Sequence, residues 1–253
     1  MAKVTIGWCT YNHCWPKSVE KEFSSLFSEF ALPPARLSDV LPKQPDHMWN
    51  DCPAYGHLVN RLFVVRSPFP ITWQVADDNR TISTNIKNVP VPFSKAFFDY
   101  SKIASQQKLL GLPTDQLPDH PIFDFRMHTL FVSNRKNTWA DLMPAFLHDT
   151  TEINVLPIPG SFNVNTWPRP TVFAGPVLDK TKPVVLQRGD PLYYMRFRTD
   201  DPEDAFELKE IDYSAKLHRA VTARVNLKNI FPRYSWRLMH ELSGRRWFDD
   251  TSE

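Results

Sequence analysis

The sequence has few cysteines, few glycines and no long apolar run, and each of these scarcities excludes a class of protein. Its 253 residues include three cysteines, Cys9, Cys14 and Cys52, an odd number that argues against a disulfide framework and favours a reducing compartment. No window approaches 18 uninterrupted apolar residues, so we expect no membrane-spanning helix. The segment MAKVTIGWCTYNHCW lacks an apolar stretch of signal-peptide length, which predicts a protein made in a cytoplasm.

The sequence also has no large excess of positive or negative charge. The 30 basic and 28 acidic residues leave a formal net charge of +2, which is too balanced to indicate nucleic acid or an anionic membrane as the partner. Against only 7 glycines stand 23 prolines, 18 phenylalanines and 8 tryptophans. Aromatic side chains in this number can stabilise an ordered core, so we expect short elements that end at prolines and pack large side chains between layers.

Alternation of apolar and polar residues predicts a protein built mainly on strands. In LYYMRFRT, Tyr193, Met195 and Phe197 fall on one face and the intervening residues on the other, which is typical of a half-buried antiparallel strand. The other predicted strands are KVTIGW, RLFVVRSPFPITWQV, RTISTNI, PIFDFRMHTLFVS, EINVLPI, SFNVNTW, PVVLQR and AFELKEI. We therefore expect a mainly β or α+β fold, a single domain over residues 1–253, with an antiparallel β-sandwich, jelly-roll-like core.

A few peripheral helices are predicted around this core. Apolar residues at helical spacing indicate helices over 17–30 and 232–243, and a further helix is predicted over 94–111. The segment TWADLMPAFLH favours at most a short helix, because Pro144 interrupts it.

The stretch from residue 159 to residue 197 raises the question of whether it binds a ligand or holds a sheet together. Its Arg-Gly-Asp tripeptide at 188–190 abuts a strand, so we interpret it as a turn rather than an adhesion signal. Its Trp-Pro-Arg-Pro run at 167–170 is interpreted as a rigid corner, and Arg169 is expected to be held by hydrogen bonds near the Gly189 turn. The residues predicted to be structural are Trp167, Arg169, Gly189, Tyr193, Met195 and Phe197.

Four short runs of residues stand out within residues 49–199. They are Cys52-Pro53-Ala54, Ser67-Pro68-Phe69, Trp167-Pro168-Arg169-Pro170 and Arg188-Gly189-Asp190-Pro191-Leu192-Tyr193. In these runs the chain resembles uncharacterised proteins encoded by tailed phages, especially T4-like phages of marine cyanobacteria. That family has no assigned activity, so the resemblance implies only an origin and a fold. It brings no catalytic residues. The expected location is the host bacterial cytoplasm or the virion.

The N-terminal region contains the residues that come nearest to a metal site. Thiolates and imidazoles are the preferred ligands of zinc, and four of them would complete a tetrahedral site. The candidates are Cys9, His13, Cys14, His47 and Cys52. Their spacing is not that of a common zinc knuckle, and the alternative is that Cys9 and Cys52 are small buried residues. We predict no bound metal.

Catalytic signatures are missing too. The sequence contains no G-x-S-x-G, H-E-x-x-H, P-loop or G-x-G-x-x-G motif, and no His-x-His or His-x-Asp/Glu triplet suited to iron. Asp119, His120 and Asp124 resemble an acid/base cluster, but they are better interpreted as the entry of a strand. A glycosidase pair stays open, because its two carboxylates need not be close in sequence. The sequence predicts no catalytic residue and no cofactor.

Charge is uneven near the C-terminal end. Residues 200–212 hold seven acids against Lys209, whereas residues 216–246 are strongly basic and contain interleaved aromatics. Such a basic segment can contact phosphates and stack on bases. The candidate nucleic-acid contacts are Arg233, Arg237, Arg245 and Arg246. The favoured interpretation is that the basic segment docks on the acidic one or forms a solvated helix face.

These observations favour a phage-encoded, non-catalytic interaction protein or minor virion component. Its expected partners are proteins, including other phage proteins, and assembly into a homo-oligomer stays open. No membrane is expected, and nucleic acid is not the favoured partner. The alternative is an enzyme with a site dispersed in sequence that acts on a small molecule or sugar.

Overall fold

The computed structural model describes residues 3–10, 31–41, 51–75, 82–86 and 122–230. The strands in these ranges are β1 (Lys3–Thr10), β2 (Ala35–Arg36), β3 (Leu62–Arg66), β4 (Ile71–Val75), β5 (Ile82–Ile86), β6 (Ile122–Ser133), β7 (Trp139–Pro144), β8 (Gly160–Asn163), β9 (Pro170–Pro176), β10 (Val184–Leu186), β11 (Pro191–Arg198) and β12 (Ala205–Glu210). The α-helices are α1 (Leu37–Val40), α2 (Pro53–Val59) and α3 (Ala215–Ile230), and a 3-10 helix spans Thr151–Ile153.

The strands form three sheets. A four-stranded sheet has the order β12-β1-β6-β9, a three-stranded sheet β10-β4-β5, and a five-stranded sheet β2-β3-β11-β7-β8. The prediction of a mainly β protein is confirmed for the described ranges, in which no barrel closes. A purely antiparallel core is wrong, because β1 pairs with β12 in parallel. A parallel neighbour requires a long connection, and almost the whole described chain lies between these two strands.

One apolar cluster joins all three sheets. It contains Ile6 and Phe131 from the four-stranded sheet, Trp73 from the three-stranded sheet and Phe197 from the five-stranded sheet. The ring of Phe197 lies 5.5 Å from that of Phe131 and 5.8 Å from that of Phe63, measured between centroids. These distances are typical of tilted aromatic pairs, so Phe197 packs against side chains of two different sheets.

The central strand β11 is buried on both faces over most of its length. Tyr193, Met195 and Phe197 lie in the shared cluster, as the alternation in the sequence predicts. Tyr194 points to the opposite face and is also fully buried, against a second cluster that includes Leu37 of α1. The half-buried strand expected from the sequence is therefore wrong at Tyr194, because α1, α2 and the turn after β7 cover that part of the sheet.

The structure differs from the sequence analysis at three further points. Trp139–Pro144 is the strand β7 rather than part of a helix, because pairing with β11 and β8 outweighs the local pattern. Residues 215–230 form α3, which the sequence did not predict, and its Leu217 and Val221 pack on Cys9 and the outer face of β6. Within EINVLPI the structure has a 3-10 turn and one isolated bridge instead of a strand. The helices predicted at 17–30, 94–111 and 232–243 lie outside the described residues.

Replacing Phe197 by alanine tests whether this part of the chain is core. The substitution empties a fully buried site that joins two sheets, so Phe197→Ala should lower the free energy of unfolding by about 3–5 kcal/mol in a urea titration. The matched control is Phe146→Ala, because the Phe146 residue is 53% exposed and its loss should cost less than about 1 kcal/mol. Equal stabilities of the two variants would contradict the packing described above.

Candidate functional site

The outer face of the five-stranded sheet changes from apolar to polar along its strands. On β11 the side chains that point outward are Tyr194, Arg196 and Arg198, since neighbouring residues alternate between faces. The register places Asp141 of β7 opposite Arg196, and Ser161 of the edge strand β8 opposite Asp141. Three adjacent strands therefore bring a cation, a carboxylate and a hydroxyl side by side.

The carboxylate of Asp141 is the centre of this polar group. Its side chain is 12% exposed, and the Ser161 hydroxyl donates to Oδ1 at 2.6 Å. Arg196 donates to Oδ2 through Nε at 3.2 Å and through Nη2 at 3.0 Å. Arg198 donates to the same Oδ2 through Nε at 3.1 Å. Hydrogen bonds to charged groups are stronger than neutral ones, so these contacts hold both guanidinium groups in place.

Positive charge exceeds negative charge within this group. Asp141 supplies one negative charge to two arginines, Arg196 and Arg198, which we call the arginine pair. Their side chains are 41% and 48% exposed. The Arg198 guanidinium also lies 5.2 Å from the ring centroid of Trp139, within the range of a cation–π contact. One positive charge of the arginine pair is therefore not balanced by Asp141, and this charge is partly exposed and fixed in position.

The ionisation of Asp141 is set by these partners. Burial alone would raise the pKa of Asp141, but the hydrogen bond from Ser161 and the two arginines lower it below the ordinary value of 3.8. Asp141 is therefore charged at neutral pH, and the arginine pair keeps its bridging carboxylate.

A loop next to the arginine pair orients Trp139. Asn137 has a φ of 59°, a left-handed conformation that asparagine tolerates better than most residues. Its side-chain nitrogen donates to both carboxylate oxygens of Asp200 at 2.8 Å, and its Oδ1 accepts from Trp139 Nε1 at 3.3 Å. Asn163 of β8 donates to the same Oδ1 at 3.2 Å.

The apolar end of this face contains a histidine–tyrosine pair. The Tyr194 hydroxyl accepts from the backbone N–H of Leu147 at 3.2 Å and lies 2.6 Å from His148 Nδ1. Burial raises the pKa of Tyr194 to about 12, so the phenol keeps its proton and can donate it to Nδ1 in the His148 tautomer that carries its hydrogen on Nε2. Burial also lowers the pKa of His148, which favours the neutral ring that this hydrogen bond requires. Tyr194 is fully buried and His148 is half-buried, so this hydrogen bond fastens the turn after β7 to the sheet.

The metal candidates do not come together in the described ranges. Cys9 is buried against α3, and burial raises the pKa of its thiol to about 12, so it is not a thiolate. Cys52 precedes α2, which packs on the five-stranded sheet. The described residues contain no group of three or more potential metal ligands. The remaining candidates, His13, Cys14 and His47, lie outside them.

The structural residues predicted in the 159–197 stretch have identifiable contacts. Trp167 packs against the shared cluster, and the Arg169 guanidinium lies 4.8 Å from its ring centroid. Gly189 has a φ of 96°, in the region that favours glycine, and its N–H donates to the Ser67 carbonyl at 2.8 Å. The Arg-Gly-Asp tripeptide at 188–190 is thus part of the turn between β10 and β11. Hydrogen bonding of Arg169 near Gly189 stays a prediction.

The charged C-terminal segments are only partly described. Arg233, Arg237, Arg245 and Arg246 lie outside the described residues, and so do Asp119 and His120. At the start of the basic segment, Lys216 and Arg219 are exposed on α3. Acids of the 200–212 segment have partners elsewhere: Arg135 binds Asp204, Lys3 binds Glu207, and Asn137 binds Asp200.

Asp141 is the residue of this site that the sequence did not indicate. The alternation in LYYMRFRT placed both arginines on one strand face, but Asp141 fell in a segment that favoured a short helix. A strand assignment for TWADLMP would have put Asp141 and Trp139 on one face and signalled a polar group.

Comparisons with known protein families, with curated proteins and with solved structures found no match for this chain. None of the helices in the described ranges is both long enough and apolar enough to cross a bilayer.

The pair formed by His148 and Tyr194 predicts a pH-dependent stability. In the folded state the pKa of His148 is lowered from its ordinary value of 6.5. At a pH between these two values, His148 binds a proton in the unfolded chain but not in the folded chain. Stability should therefore fall as the pH drops through this window. His148→Gln keeps an acceptor for the phenol but cannot titrate, so its free energy of unfolding should fall less over the same window.

Urea titrations at pH 7.5, 6.5 and 5.5 measure this difference. The other titratable groups are common to both proteins and cancel in the comparison. Parallel pH profiles for the wild type and His148→Gln would show that His148 does not titrate as described.

Proposed function

We propose that this protein is a non-catalytic interaction protein that binds a protein partner at the polar end of the outer sheet face. The observation that carries the proposal is the arginine pair: two partly exposed guanidinium groups share one buried carboxylate, beside a tryptophan ring. Arginine and tryptophan are enriched among the residues that dominate binding energy at protein interfaces.

Fixed geometry supports a binding role for the arginine pair. An arginine that is free in solvent loses side-chain entropy when a partner immobilises it, at a cost of about 0.5–1.5 kcal/mol for each such side chain. Arg196 and Arg198 are already held by Asp141, and their strand is anchored in the core by Phe197. A partner would therefore meet donors whose positions are set before binding.

The resemblance to tailed-phage proteins supports the broader setting of this proposal. On that basis the protein is phage-encoded and acts in the host bacterial cytoplasm or as a minor virion component, with other phage proteins or further copies of itself as partners. Packing of the four-stranded and five-stranded sheets on one apolar cluster supports a sandwich-like architecture, of which the jelly-roll-like strand order is the proposed form.

Site-specific photo-crosslinking in the bacterial cells that make the protein tests this function. A photoreactive amino acid at Lys136, an exposed position one residue before Asn137, should capture a discrete partner protein that mass spectrometry then identifies. The same group at Lys180, exposed in the loop between β9 and β10, is the matched control and should not capture that protein.

The contribution of the arginine pair is measured in the same assay. Adding Arg196→Gln and Arg198→Gln to the Lys136 probe should reduce the crosslinked product at least ten-fold, with circular dichroism checking that the variant is folded. Failure to capture any protein at Lys136, or a product that survives both substitutions, would contradict a binding role for this face.

A further inference from the structure

We infer that the arginine pair binds an acidic peptide segment that presents two carboxylates two residues apart in an extended conformation. This inference rests on the proposed function and names the chemistry of the partner.

Spacing defines the geometry of the ligand. Arg196 and Arg198 lie on the same face of β11, so their Cα atoms are two positions apart along the strand, or about 6.6–6.8 Å. An extended peptide has the same repeat, so its side chains at positions i and i+2 match both arginines at once. Two carboxylates at this spacing would each face one guanidinium group.

The guanidinium N–H groups that make no hydrogen bond within the described residues define the chemistry of the contact. Arg196 contacts Asp141 through Nε and Nη2, and Arg198 uses Nε on Asp141 and Nη2 on the Ser161 hydroxyl at 3.4 Å. Within the described ranges, the Nη1 group of neither arginine makes a hydrogen bond. Guanidinium N–H groups bind carboxylate oxygens in strong, directional hydrogen bonds, and the surplus positive charge favours an anionic partner.

A neighbouring carboxylate limits the length of that anion. Of the seven acids in the 200–212 segment that follows β11, Asp204 and Glu207 are paired elsewhere, with Arg135 and Lys3. Asp200, at the start of this segment, contacts Asn137 beside the arginine pair. A long polyanion such as nucleic acid would be repelled by Asp200 where it extends past the arginine pair, whereas a short acidic segment confined to the pair would meet this repulsion only at its end.

Peptide titrations followed by NMR test this inference on the full chain. The probe is a capped peptide containing Asp-Gly-Asp, and its controls are an isomer with three glycines between the aspartates and an analogue with asparagine at both positions. We expect the Asp-Gly-Asp peptide to shift the side-chain signals of Arg196 and Arg198, with a Kd at least five-fold lower than that of the isomer and ten-fold lower than that of the analogue.

Substitutions separate charge from hydrogen-bond geometry. Arg196→Lys with Arg198→Lys keeps the charge and should weaken binding about three- to ten-fold, whereas the double glutamine variant should abolish it. Arg188→Gln removes an exposed arginine from another turn and should leave binding unchanged. A single-stranded oligonucleotide of ten nucleotides should bind at least ten-fold more weakly than the acidic peptide.

The outcomes distinguish this inference from the proposed function. Equal affinity for the three peptides, or tighter binding of the oligonucleotide, overturns the acidic-segment inference. If the Lys136 probe still captures a protein in an arginine-dependent way, the interaction function survives and only the partner chemistry is wrong. If no protein is captured either, both are wrong.

Discussion

Burial of β11 on both faces is the constraint on which the rest of the described structure depends. Its inward aromatic residues hold the five-stranded sheet against the other two, and Phe197 contacts the four-stranded sheet directly. On the outer face, Tyr194 is covered by α1, α2 and the turn after β7. A strand enclosed in this way cannot shift its register by one residue, because that would move its whole inward set to the other face.

Fixed register has a direct electrostatic consequence at the end of β11. It brings Arg196 opposite Asp141, so a carboxylate on one strand is shared by two arginines on its neighbour. Two guanidinium groups at strand spacing repel each other, and the intervening carboxylate offsets that repulsion. The charge that remains is partly exposed, and the core that fixes the strand also fixes the position of the arginine pair.

Local patterns in the sequence account for strands such as β11 but not for β7, and not for the residues that face a strand from neighbouring elements. The alternation in LYYMRFRT predicts the inward side of β11, because a period of two is a property of neighbouring residues. Burial of Tyr194 and the pairing of Asp141 with Arg196 depend on segments 45 or more residues away, and α3 forms where its apolar residues meet the four-stranded sheet. Contacts of that kind follow from tertiary packing, which no local pattern encodes.

Arginine side-chain NMR measures the central feature of this account, the fixed arginine pair, most directly. The Nε–H groups of Arg196 and Arg198 both donate to Asp141. They should therefore give two resolved, slowly exchanging signals at pH 7, assigned by Arg196→Lys and Arg198→Lys. Both signals should move to the free-arginine position in Asp141→Asn. Signals at that position in the wild-type protein would show that the two side chains are mobile, and would contradict a preformed binding site.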